Sequence, residues 1–283
     1  MNVSLILATY GRAEELGRAV DSFLSQTDRG FELIIVDQNP DERLAPFVEQ
    51  AREGGLDVRH VRMDTPGLSA ARNLGISLAR HDILAFPDDD CWYEDRVIEH
   101  VRRAFLEGEA LGGMIGCWVE QAGEAAPGQA YFLEHDAWRE FRGGHASSIS
   151  LFLDRKLFES LGGFDERLGV GQWYGAAEEI DFILRALASG AHLRYCPEIR
   201  VHHAYAPRPV GNFKAICRQA RYRSRGTGAI YAKHRLSTYV VARGLLAPVV
   251  NALPRLSPSQ IGRALFTSLG RIEGYLRWKR RES

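Results

Sequence analysis

Asp82-Ile83-Leu84-Ala85-Phe86-Pro87-Asp88-Asp89-Asp90 decides how this chain folds. Asp82–Phe86 is a short run with a continuous apolar core, the pattern of a strand buried on both faces. Pro87 stops it, because proline donates nothing to a β-ladder. Three adjacent carboxylates follow at once. They repel one another unless a cation or solvent offsets the repulsion.

The same pattern recurs upstream. Val3–Ala8 is an apolar run ending in Thr9-Tyr10-Gly11-Arg12, and Glu32–Val36 is a second, ending in Asp37. Between them Leu16, Val20, Phe23 and Leu24 fall on one helical face. Asp41–Glu53 reads as helix, Asp57–Met63 as strand, Gly67–Arg80 as helix and Glu94–Glu107 as helix. Strands alternating with helices predict an α/β fold, a mostly parallel twisted sheet flanked by helices. After Gly112 the alternation loosens. Met114–Val119, Ser147–Leu153 and Ile199–His203 read as strands, Gly123–Gly128 as a loop and Glu178–Ser189 as a helix. From Gly211 the chain reads as basic helices interrupted by Pro248, Pro254 and Pro258.

Composition narrows the function classes. The 283 residues are 45% hydrophobic and 25% charged, values that rule out disorder and coiled coil. The four cysteines lie far apart with no CxxC spacing, which disfavours a disulfide scaffold or structural zinc and suits a reducing compartment. Met1–Leu7 lacks a basic segment before its apolar run and reads as a strand, not a signal peptide. The zero net charge hides an asymmetry. Residues 208–283 hold 16 Lys/Arg and two acids, so the tail carries +14 and the remainder −14. An acidic body suits a cation-dependent site, and a basic tail suits an anionic surface. There is no GxSxG, no Walker A loop and no GxGxxG after the first strand.

In an open parallel sheet, ligands bind beyond the carboxyl ends of the strands. Thr9, Arg12, Asp37 and Asp88-Asp89-Asp90 all stand at such ends, and Arg72 lies in the helix preceding the fourth strand. Hard carboxylate oxygens suit Mg²⁺ or Mn²⁺, which bind one or two carboxylates plus substrate phosphates. A solvated acidic turn, and Asp37 as a helix cap, are the plainer readings.

Taken together, Leu7-Ala8-Thr9-Tyr10-Gly11-Arg12, Ile35-Val36-Asp37, Gly67-Leu68-Ser69-Ala70-Ala71-Arg72-Asn73, Phe86-Pro87-Asp88-Asp89-Asp90, Gly162-Gly163-Phe164-Asp165-Glu166 and Glu178-Glu179-Ile180-Asp181 resemble the family 2 glycosyltransferases with the GT-A fold. The resemblance spans roughly Val3 to His203. It implies an inverting enzyme that moves a sugar from a nucleoside-diphosphate sugar to a glycan or lipid-linked acceptor, with Mn²⁺ or Mg²⁺. It implies nucleotide binding by Thr9, Tyr10, Arg12, Asp37, Arg72, Asp88 and Asp89. It implies metal binding by Asp90, Asp88 and a histidine, where the Val-x-His register favours His203 over His202. The motif at Glu178-Glu179 implies the catalytic base, by register Glu179, with Glu178 in play because Glu replaces the usual Asp. The Gly143–Ser148 turn lacks the family's asparagine. Trp173 and Tyr174, in a glycine-bounded loop, offer faces to a sugar acceptor or form a packed edge.

These readings divide the chain into a catalytic domain at 1–207, nucleotide-binding over about 1–111 and acceptor-binding over about 112–207, and a basic helical extension at 208–283. Two rivals remain: a sugar nucleotidyltransferase, and a non-catalytic transferase-like domain docking on membrane through its tail. No tail stretch is long enough to span a bilayer. Ile261, Leu265, Leu269, Ile272 and Leu276 make one apolar stripe beside Arg263, Arg271, Arg277, Lys279, Arg280 and Arg281, and a second basic cluster (Arg218, Arg221, Arg223, Arg225) surrounds Tyr222. An apolar stripe fits an anionic membrane surface rather than nucleic acid, and the expectation is an enzyme held on the cytoplasmic leaflet; the plainer reading is a solvated helical face packing on the body.

Overall fold

A computed structural model describes residues 1–107, 110–119, 128–144, 146–203, 212–255 and 257–282. The expected loop at 123–127, His145 and the expected boundary at 207/208 lie outside the described residues. The chain forms two compact units. The first takes Met1–Glu134, His145–Gly163 and Arg185–Tyr205; the second takes His135–Gly144, Phe164–Leu184 and Ala206–Ser283.

The first unit is built on one sheet. Its strands are β1 (Val3–Thr9), β2 (Phe31–Asp37), β3 (Val58–Arg62), β4 (Ile83–Ala85), β5 (Cys91–Tyr93), β6 (Gly113–Val119), β7 (Tyr131–Phe132), β8 (Leu151–Asp154) and β9 (Leu193–His203). The order is β3-β2-β1-β4-β8-β6-β9-β5, with β7 on β9. β3, β2, β1 and β4 are mutually parallel, as are β6 and β9, while the antiparallel ladders run only two or three residues each. The strand order turns back at β1, between β2 and β4, the kind of place where α/β sheets open a ligand crevice.

Helices α1 (Glu14–Leu24), α2 (Ala45–Glu53), α3 (Leu68–Leu78), α4 (Val97–Glu107) and α6 (Arg155–Ser160) also belong to this unit. β1 and β2 are buried along their whole length, which is why they read as continuous apolar runs. Leu5, Leu7, Leu33 and Ile35 share a core with Leu16, Val20 and Phe23 of α1. Ile6 and Val36 point the other way, onto α3, where Gly75 lies so close that a side chain there would run into Ile6. That close approach seats α3 on the sheet and sets the position of Arg72 one turn earlier.

The structure departs from the sequence expectations in several places. The strand expected at 199–203 begins at Leu193 and passes through Pro197, where the β6–β9 register shifts between Gly116 and Cys117; a proline survives in a strand at such an irregularity. β5 was not legible, because three residues beside a turn show no period. The segment 147–150 is a turn of 3₁₀ helix over Ser148–Ser150 before β8.

The second unit holds α5 (His135–Arg139), the start of α7 (Glu178–Ala188), and α8 (Phe213–Lys233), α9 (Thr238–Ala252) and α10 (Pro258–Glu282). Pro248 lies inside α9 rather than ending it, and Pro258 opens α10. α8 and α10 pack backbone to backbone. A side chain at Gly270 or Gly274 would strike the carbonyl of Arg221 or Arg225, and one at Gly228 that of Arg271. Among the described residues no helix is long and apolar enough to cross a membrane.

Candidate active site

At the carboxyl ends of β1 and β4 the first unit assembles the acids Asp88-Asp89-Asp90. Their side chains go three different ways. Asp88 Oδ1 accepts from Arg72 Nη2 at 2.8 Å, and the same nitrogen donates to Ser148 Oγ at 2.8 Å. Asp89 accepts from Thr9 Oγ1 at 2.6 Å and from Arg12 Nη1 at 2.8 Å. Asp90 Oδ2 accepts from the same Arg12 nitrogen, while its Oδ1 faces His203 Nε2 at 3.2 Å. Ser148 closes the expected Gly143–Ser148 turn, and its hydroxyl is what that turn brings to Arg72.

His202 and His203 point to opposite sides of β9, as a strand requires. His202 stacks on Trp92 and bonds Glu94 Oε1 at 3.0 Å, whereas His203 meets Asp90.

Asp89 and Asp90 titrate in opposite directions. Burial raises the Asp89 carboxyl above its ordinary value, despite its bonds to Thr9 and Arg12. Burial also works to raise Asp90, but His203 and Arg12 outweigh it and hold Asp90 below the usual carboxylate range. Asp90 Oδ1 is buried and receives no well-directed hydrogen bond. A buried, ionised oxygen beside an imidazole nitrogen is a donor pair that fits a divalent cation. Asp88 is turned to Arg72, and no group of three or more His, Cys, Asp or Glu gathers in a metal-holding arrangement among the described residues. The fit is therefore one carboxylate and one imidazole, with the remaining positions open to substrate oxygens.

Asp37 is fully buried at the end of β2. Its Oδ1 accepts from the backbone and side-chain nitrogens of Asn39, at 2.9 and 2.8 Å, and its Oδ2 faces His60 Nε2 at 3.0 Å and Arg62 Nη1 at 3.4 Å. Asn39 Oδ1 in turn accepts from Gly11 N at 2.7 Å, and Gln38 Oε1 from Gly67 N at 2.7 Å. Gly11 has φ +79°, a left-handed turn that favours glycine. Gln38 and Asn39 thus tie the β1 turn, the β2 end and the start of α3 together. Sequence reasoning passed over them, although two amides directly after a buried strand were the available signal. Tyr10 is exposed on the same turn.

In the second unit, Ala177 takes φ +80° immediately before Glu178, a strained setting for a residue with a Cβ. Glu178 is buried and Glu179 half-buried in the first turn of α7. Asp181, one turn further, is fully buried and meets Lys233 Nζ at 2.8 Å and His234 Nε2 at 2.9 Å. Lys233 also bonds Asp165 Oδ2 at 2.7 Å. The Gly163-Phe164-Asp165 and Glu-Glu-Ile-Asp motifs are therefore joined through the last residues of α8. That role of Lys233 and His234 carried no sequence signal.

Of the two readings open for Tyr174, the structure matches the packed edge. The residue is 2% exposed, with its ring 5.3 Å from Trp278 and 5.0 Å from Trp173. Its face is spent on packing and offers nothing to an acceptor. Trp173 is half-buried and carries the guanidiniums of Arg225 and Arg277, at 4.3 and 4.1 Å.

Comparison with known proteins follows the same lines. A profile described as "Glycosyl transferase family 2" matches residues 4–154. A glucosyl-dolichyl phosphate glucuronosyltransferase of Haloferax volcanii is 29% identical over 220 residues, covering 72% of this chain and 69% of that protein. Other curated relatives are spanned over only 10% to 36% of their length. Among solved structures, the mannosyltransferase PcManGT from Pyrobaculum calidifontis, in complex with GDP-Man and Mn²⁺, matches with a TM-score of 0.64 at 17% identity, over 100% of this chain and 88% of that one. S. aureus TarS 1-349 in complex with UDP-GlcNAc matches with a TM-score of 0.61 at 13% identity, over 99% of this chain and 92% of that one. At these identities the two structures share the fold.

Proposed function

The chain belongs to glycosyl transferase family 2, and from that premise we propose that it transfers a sugar from a nucleoside-diphosphate sugar to an acceptor hydroxyl, with inversion and with the help of Mn²⁺ or Mg²⁺. The observation that carries the proposal is the divided set of carboxylates: Asp88 on Arg72, Asp89 on Thr9 and Arg12, Asp90 beside His203. A solvated acidic turn has no need of a buried arginine, a buried threonine and a histidine as partners.

In this reading the β1 turn (Thr9, Tyr10, Arg12) and the β2 end (Asp37, held by Asn39 and His60) receive the nucleoside. Arg72, fixed under Asp88, keeps positive charge beside the diphosphate. Asp90 and His203 would hold the divalent cation, which when bound supplies charge against the departing diphosphate. Arg12 reaches both Asp89 and Asp90, so nucleotide binding and the cation position are coupled through one side chain. Glu179, half-buried at the start of α7, accepts the acceptor's proton; a single base opposite the leaving group gives single displacement and inversion. Glu178, more deeply buried, is the second choice. The similarity to an enzyme named for a dolichyl-phosphate substrate supports a lipid-linked acceptor. The basic C-terminal helices then hold the enzyme at the cytoplasmic face of the membrane.

Donor binding tests this reading. Thermal stabilisation by nucleoside diphosphates, each with and without Mn²⁺, identifies the nucleotide by mass action. The proposal expects one nucleotide to stabilise the chain with metal, and Asp90→Ala to remove the metal-dependent part while the melt stays cooperative. Release of pyrophosphate from a sugar 1-phosphate and a nucleoside triphosphate would instead make the chain a nucleotidyltransferase.

A further inference from the structure

The helical unit holds a cavity of about 690 Å³ that no part of the proposed chemistry uses. Tyr231, Leu236 and Tyr275 give it an apolar and aromatic floor; Arg235, Lys279 and Arg280 line it with positive charge, and among the described residues no acid does. The three cations are exposed, and none is paired with a carboxylate among the described residues. Several other basic side chains of this unit are spent. Arg221 and Arg225 grip Glu273, Arg271 donates to Gly244 O, and Arg277 covers Trp173. The cavity gathers three exposed cations at one place, whereas Lys214, Arg218, Arg223 and Arg263 are exposed at scattered positions outside it.

An apolar stripe leads to it. Leu265, Leu269, Ile272 and Leu276 are each about half exposed on α10. Their spacing of three or four residues continues to Lys279 and Arg280, so the stripe and the cavity cations lie on one helix face. On α9, exposed Tyr239, Leu246 and Val250 lie seven and four residues apart and share one face, and Thr238, next to Tyr239, lines the cavity. Exposed apolar residues on two helices, one stripe running directly into the cavity cations, match a phospholipid: a phosphate group with hydrocarbon beneath it.

We propose that this cavity seats the headgroup phosphate of an anionic membrane phospholipid while the α9 and α10 stripes enter the interface around it. The inference rests on the membrane reading above and narrows it to a site. The volume exceeds the needs of a single tetrahedral anion and lies in the range of pockets that enclose a larger ligand, so a phosphate carried on glycerol is the better occupant than free phosphate.

Flotation of the full chain with phosphatidylglycerol/phosphatidylcholine vesicles tests the site. K279Q/R280Q and, separately, R235Q are compared with R218Q/R263Q, which removes two exposed arginines outside the cavity. Two dispersed charges account for roughly a 25-fold loss of vesicle affinity, at about five-fold each. The proposal expects the cavity pair to lose clearly more than the control pair, R235Q alone to lose more than five-fold, and all variants to keep wild-type melting. Equal losses in the two pairs would leave diffuse attraction and overturn the cavity while sparing the membrane reading. Absence of flotation by the wild type at low salt would overturn both. Displacement from vesicles by millimolar inorganic phosphate would make the site one for a free anion and overturn the lipid assignment.

Discussion

Arg72 is fully buried and donates from Nη2 to Asp88, whose side chain is about one-third exposed. The pair joins α3 to the end of β4 and turns the first of three aspartates away from Asp90. A buried guanidinium tolerates this position only while its carboxylate is present.

Arg72→Met is expected to destabilise the chain by about 3 kcal/mol, the lower end for a broken buried pair because Asp88 keeps contact with water. Denaturant unfolding measures it. An unchanged midpoint would mean that the pair contributes nothing to the fold.

Glu179→Gln preserves shape and removes the proton acceptor. Turnover is expected to fall about 10²-fold or more with donor affinity unchanged. If Glu178→Gln is the inactive variant and Glu179→Gln turns over normally, the base lies one residue earlier.

Asp165 lies between Arg167 and Lys233. Burial pushes its carboxyl up, but the hydrogen bonds from Arg167 and Lys233 prevail and hold it below its ordinary 3.8. A depressed folded value means stability present above the unfolded value and lost as pH falls through the folded one. Asp165→Asn should therefore reduce stability at neutral pH and flatten its loss below about pH 4. Melting temperature against pH reads the difference, and parallel curves for the two proteins would sink the assignment.

Gly274→Val puts a branched side chain against the carbonyl of Arg225. Overpacking of this kind costs about 1–3 kcal/mol, and valine brings little helix propensity to offset it. A melt as stable as wild type would show that α8 and α10 can move apart at no cost.

Much of the sheet half was legible because strands buried on both faces must be continuous apolar runs, and β1, β2 and β4 are. The acids after β4 stood out for the same reason, as charge directly after a buried run. β5 and the first half of β9 stayed hidden, since short edge pairing and a proline at an irregular register leave no period to read. Tyr174 stayed open between two readings because a tyrosine in a glycine-bounded loop looks the same whether its ring faces solvent or Trp278.

By itself, the sequence determined that three carboxylates end a buried strand, beside a turn built on Thr9, Gly11 and Arg12. Backbone period and local chain geometry suffice for that. Only the tertiary structure decided that Asp88 serves Arg72, Asp89 serves Thr9 and Arg12, and Asp90 faces His203. It also decided that Arg221, Arg225, Arg271 and Arg277 are spent on Glu273, Gly244 and Trp173, while Arg235, Lys279 and Arg280 gather around one cavity. Charge is counted along a chain, but its availability depends on which partners packing brings within hydrogen-bond reach, and those partners lie tens of residues away.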